Sequence, residues 1–159
     1  MVIATMCGEP AYMRRCGAGR DDGMVELAFL VLSETVESRT GSGGQAQPVI
    51  VNPLTMIQPK YLPGQFSFAI TGGVRYDHVN EISEGVSLSI TDPNGAVISS
   101  GPPMPPPEDP SGEKSIGLVF SIIATNIDIA SAGRYTVTAR VGDSELGHLD
   151  ILVKERGEA

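Results

Sequence analysis

"SAGRYTVTARVGDSEL", Ser131–Leu146, is the stretch that decides the fold class. Tyr135, Val137, Ala139 and Val141 alternate with Arg134, Thr136, Thr138 and Arg140, the period of two expected of a half-buried strand. Gly142-Asp143 then turns the chain, and a second apolar stretch runs to Val153. The segment reads as a hairpin with one face on a core and one in water.

Working outward, the same punctuation recurs. Val86, Leu88 and Ile90 alternate with Ser87, Ser89 and Thr91, the turn Asp92-Pro93-Asn94-Gly95 follows, and Ala96–Ser99 returns. Upstream, Val25–Leu32 in "MVELAFLVL" is an apolar strand, and "RTGSGGQAQ", Arg39–Gln47, reads as a Gly/Ser-rich loop. Val49–Val51 and Leu54–Gln58 are strands interrupted at Asn52-Pro53, the mark of an edge or a bulge. A turn at Pro63-Gly64 precedes the strand Gln65–Thr71, which Gly72-Gly73 is expected to bulge or end. Arg75–Gly85 has no clear period; Asp77 as N-cap and Gly85 as stop permit one helical turn. Gly101–Gly112 carries six prolines and is expected to be a loop, because proline cannot donate to a ladder. Ile116–Ala124 resumes the sheet, and Asn126–Ile129 extends it past a kink.

This gives about eight strands, at most one short helix and no βαβ alternation. The expectation is an all-β fold: a single antiparallel sandwich of Ig-like or Greek-key type, with a small closed barrel as the alternative. The domain spans 24–155, and 156–159 is a frayed tail. Residues 1–23 show no useful period and form either a weakly ordered N-terminal arm or an extension upstream of a natural start at Met24.

The chain has 159 residues, enough for one domain, and a net charge of −8. Residues 1–23 hold three basic and three acidic residues, so the whole −8 falls on 24–159, with 8 basic against 16 acidic. An acidic body without a basic stripe argues against nucleic acid as a partner. Cys7 and Cys16 both lie outside the apolar body, where neither a disulfide framework nor a zinc site is expected. No apolar run is long enough for a signal peptide or a membrane span, so a cytoplasmic location and no membrane partner are expected.

Gly133-Arg134-Tyr135-Thr136-Val137, preceded by Asp128, is similar to the D…G-x-Y-x-C pattern of immunoglobulin-like domains. There the tyrosine closes a corner by hydrogen-bonding upstream backbone. Gly133, Tyr135 and Val137 are therefore the expected structural corner, with Val137 at the cysteine position and no tryptophan in the chain. More broadly, Met24–Glu155 resembles an uncharacterised bacterial family of small Ig-like β-sandwich proteins. The resemblance rests on "VELAFLVLSETVE", "LPGQFSFAI", "VSLSITDPNGAVI" and "AGRYTVTARVGDSELGHLDILV". It implies a fold and carries no catalytic residues.

No motif compels a chemistry. His78 lies near Asp77 and Glu81, and His148 near Asp150, but no Gly-x-Ser-x-Gly elbow accompanies them. Asp77, Glu81, Glu84 and Asp92 match no calcium loop, and "GSGG" at Gly41–Gly44 lacks the Lys-Ser/Thr of a phosphate cradle. Catalytic, cofactor-binding and metal residues are accordingly none. The expected function is that of a non-enzymatic interaction module binding another protein, a reading that admits homo-oligomers. A phage- or prophage-type assembly component is the alternative, and a hydrolase with an unrecognised site comes third. The candidate partner surface is the stiff loop containing Pro102, Pro103, Met104, Pro105, Pro106, Glu108 and Asp109.

Overall fold

Strands that alternate apolar and polar residues can bury one face only, and here they do so against a second sheet. The computed structural model describes residues 24–44, 46–106 and 116–157. Within them lie β1 (Glu26–Thr40), β2 (Ala46–Pro53), β3 (Met56–Ile57), β4 (Gly64–Tyr76), β5 (Val86–Thr91), β6 (Val97–Ser100), β7 (Ile116–Ile129), β8 (Gly133–Val141) and β9 (Ser144–Val153). One 3-10 helix, Val79–Ile82, joins them. The strands form a four-stranded sheet, β2-β1-β4-β7, and a five-stranded sheet, β3-β9-β8-β5-β6. The described strands thus make an open two-sheet all-β architecture and not a closed barrel, and they number nine where about eight were expected.

The core is shared. Val86, Leu88, Ile90, Tyr135, Val137, Ala139, Ile151 and Val153 line the five-stranded sheet's inner face, and Leu32, Phe68, Ile70, Val74, Tyr76 and Phe120 line the other. Burying a branched or aromatic side chain of this kind stabilises by about 1.5–3 kcal/mol, so this aliphatic layer supplies most of the cohesion.

Several expectations are corrected. β1 does not end at Leu32 but continues through the polar residues to Thr40, pairing with β2 from Ser33↔Pro53 to Thr40↔Ala46. The expected loop Arg39–Gln47 is therefore shorter: Arg39, Thr40, Ala46 and Gln47 belong to the ladder, and Gly41–Gly44 forms the turn, where the Gly44 amide donates to Gly41 O at 3.0 Å. Gly72-Gly73 neither bulges nor ends β4, which runs to Tyr76. The glycines instead make room for aromatic rings: Phe120 lies over Gly72 on the inner face and Phe29 over Gly73 on the outer face. The kink in β7 is a bulge, with Thr125 and Asn126 opposite Ser67; Asn126 takes φ 54°, and its amide donates to Ser67 Oγ at 3.1 Å. Asp77 is not the cap of the helical turn. The N-cap is His78, and Glu81 within the turn reaches back, its Oε2 accepting from the amides of Asp77 (3.0 Å) and His78 (3.2 Å).

Candidate functional site

The two sheets turn very different outer faces to their surroundings. On the five-stranded sheet, Arg134 Nη1 donates to Asp150 Oδ2 at 3.2 Å and Thr136 Oγ1 to Asp150 Oδ1 at 3.1 Å, while His148 Nδ1 and Glu145 Oε1 lie 3.1 Å apart. Ser87, Ser89 and Thr91 continue this polar surface on β5, interrupted by Leu152 and Val97 at its margins. Registers on the other sheet align Phe29–Gly73–Val119, Val31–Thr71–Ser121 and Ser33–Ala69–Ile123 in rows facing outward. Phe29, Val119 and Ile123 are 40%, 52% and 58% exposed.

Each strand edge offers unpaired backbone groups, and proteins usually blunt such edges. β2 carries Pro48 and Pro53; β3 is two residues long. β6 is four residues long and continues into the proline segment. There Gly101 donates to Leu88 O at 3.1 Å, and Val86 and Met104 exchange hydrogen bonds of 2.9 and 2.8 Å. The expected proline loop is thus ladder at two points, and the pairing residues are the non-prolines Gly101 and Met104. Pro102, Pro103, Pro105 and Pro106 need no partner for an absent N–H. Glu108 and Asp109 lie outside the described residues.

β7 has none of these devices. It is 14 residues long, has no charged residue or proline from Ile116 to Ile127, and pairs only with β4 among the described strands. A cleft flanks it on each side, the first largely apolar and the second mixed. The first, about 250 Å³, lies between Val119 and Ser121 of β7 and Val36, Glu37, Ser38, Ala46 and Pro48 of the β1–β2 hairpin. Because β4 separates β1 from β7 in the ladder, the hairpin beyond Ser33 must lean across the outer face to line it. The second, about 200 Å³, opens between the β6 and β7 edges; its walls are mixed, with Leu88, Ile90 and Ile122 on the apolar side and Ser99, Ser100 and Thr125 on the polar side.

The other singled-out residues are dispersed. Tyr135 is buried, and its hydroxyl donates to Ser131 O at 3.0 Å, with the Ser131 amide 3.4 Å away. Gly133 sits before it at φ 147°, packed under Pro93, and Val137 is buried. His78 is exposed beside the 3-10 turn and His148 on the far outer face. Among the described residues no group of three or more His, Cys, Asp or Glu side chains is placed to hold a metal ion. No helix among them is long and apolar enough to cross a membrane. Cys7 and Cys16 lie outside the described residues.

Sequence reading missed the β7 edge, although a signal was available. In an antiparallel sandwich an outward face should be polar, so the run "GLVFSII", Gly117–Ile123, broken only by Ser121, already marks a strand largely apolar on both faces. Comparison with known proteins adds no assignment: no family model, curated protein or solved structure matches the chain.

Proposed function

We propose that this protein is a non-enzymatic interaction module, an Ig-like Greek-key sandwich that binds another protein along β7. In this reading β1, β4 and β7 stand for strands A, B and E, and β5, β6, β8 and β9 for C, C′, F and G. Support comes from the order β9-β8-β5-β6 in one sheet, β1-β4-β7 in the other, and the Tyr135–Ser131 corner at the start of β8. The β1–β2 hairpin is an addition to that plan, and the proline segment stands where strand D would run.

One observation carries the functional reading: among the described residues, a long edge free of charge and proline from Ile116 to Ile127, with Val119 and Ile123 exposed between two clefts. An added strand would satisfy the outward N–H and C=O groups of β7 while its side chains fill the clefts, the mode known as β-augmentation. The test is site-specific photo-crosslinking in the native host, with the reactive side chain placed at Val119 or, as control, at Ser87 on the polar outer face. Capture of protein from Val119 and not from Ser87 is expected. Equal capture from both, or none from either, overturns the reading.

A further inference from the structure

We propose that the occupant of the β7 edge is a second copy of this chain, paired antiparallel about a two-fold axis through Ser121. This rests on the reading of β7 as an interaction edge and adds what fills it.

Charge points to a second copy. The chain carries −8 overall, so a partner chosen by charge complementarity would be basic, and β7 offers such a partner no carboxylate from Ile116 to Ile127. Two copies repel through their acidic surfaces, and the charge-free stretch Ile116–Ile127 is where they can meet with no like charges opposite. The other described edges are short or carry prolines.

Register points the same way. Antiparallel pairing about Ser121 sets Val119 opposite Ile123 of the second copy, and Ile123 opposite its Val119. The two most exposed apolar side chains of β7 then form one cluster with their equivalents on the outer face. On the inner face, Phe120 comes opposite Ile122 and Leu118 opposite Ala124. Ile122 and Ala124, half-buried in the single chain, wall the mouth of the cleft between β6 and β7, so the second copy would cover it. An interface of this kind is isologous and closes at two copies. The product is one continuous eight-stranded sheet, formed from the four strands of each copy.

Sedimentation equilibrium of the full chain tests this. The wild type should sediment at twice the chain mass of 16.7 kDa. V119K, which sets an ammonium against an isoleucine in a dehydrated cluster, should raise the dimer dissociation constant about a hundredfold or more. V119K/I123E should restore dimers, because each introduced ammonium then faces the introduced carboxylate of the other copy; circular dichroism checks that every variant is folded. A single-chain mass at every concentration, a dimer indifferent to V119K, or failure of the folded double variant to re-associate each overturns the proposal. If the purified chain stays single while crosslinking at Val119 still captures a different protein, the edge reading stands and the second copy falls.

Discussion

The outer faces of the two sheets belong to the same sandwich and obey opposite rules. On the five-stranded sheet the outward side chains pair among themselves, Arg134 and Thr136 with Asp150 and Arg140 and His148 with Glu145. On the four-stranded sheet the same kind of position holds Phe29, Val31, Val119 and Ile123. Folding requires neither pattern outside the core. A polar outer face keeps a sheet soluble and a single copy self-sufficient, whereas an apolar one is retained where something covers it. The β1–β2 hairpin covers part of the apolar face, so that Ser33, Ala69 and Thr71 are buried though they point away from the core. Among the described residues, Val119 and Ile123 at the β7 end stay exposed.

The largest expected effect tests which side of the five-stranded sheet is inside. Tyr135→Ala should lower stability by about 3–5 kcal/mol in urea titration, since a buried ring is lost. Tyr135→Phe should cost about 1 kcal/mol, the worth of the hydroxyl bonded to Ser131. A neutral alanine would reverse the face assignment of β8 and with it the contrast between the sheets.

A middle-sized effect compares the two faces of the four-stranded sheet directly, through adjacent glycines. A Cβ at Gly72 would meet the buried Phe120 ring and Leu30, so Gly72→Ala should cost about 1–3 kcal/mol by overpacking. A Cβ at Gly73 would meet Phe29, whose ring is 40% exposed and free to swing outward. Gly73→Ala should therefore cost less than about 1 kcal/mol in the same titration. Equal costs would mean that Phe29 is as tightly held as the core.

The smallest effects concern the exposed side chains themselves. Asp150→Asn removes a surface ion pair and should change folding stability by less than about 1 kcal/mol. Ile123→Ser should be similarly mild, about 0.5 kcal/mol or less, when measured on the single chain. The two should part company in association, where only Ile123→Ser weakens it. If Asp150→Asn weakens it as much, the polar face is the interface.

How much of this was legible in the sequence follows from how many faces each strand hides. β5, β8 and β9 bury one face, so Val86–Thr91 and Tyr135–Val141 show their period in the residues themselves. β1 and β7 do not alternate, because Leu27–Leu32 is apolar and Gly117–Ile123 largely apolar on both faces, which erases the period and with it any sign of what lies outside. The half of β1 beyond Leu32 was hidden for the opposite reason. Ser33–Thr40 is largely polar and faces no core, so composition alone resembled a loop. The proline segment misled through its count. Two non-prolines, Gly101 and Met104, are enough to hold it to β5.

The central claim is that β7 is paired on both sides in the protein's working state. In a strand bonded to one neighbour, alternate amides face outward and exchange with solvent; pairing on both sides protects all of them. Residue-resolved hydrogen exchange across a dilution series reads this directly. The expected result is protection of consecutive amides from Gly117 to Ala124 at high concentration. On dilution, protection should be lost at every second residue of β7, while β8, enclosed between β9 and β5, is unchanged. Alternating fast exchange along β7 at every concentration, with no residue gaining protection as the chain is concentrated, would contradict it.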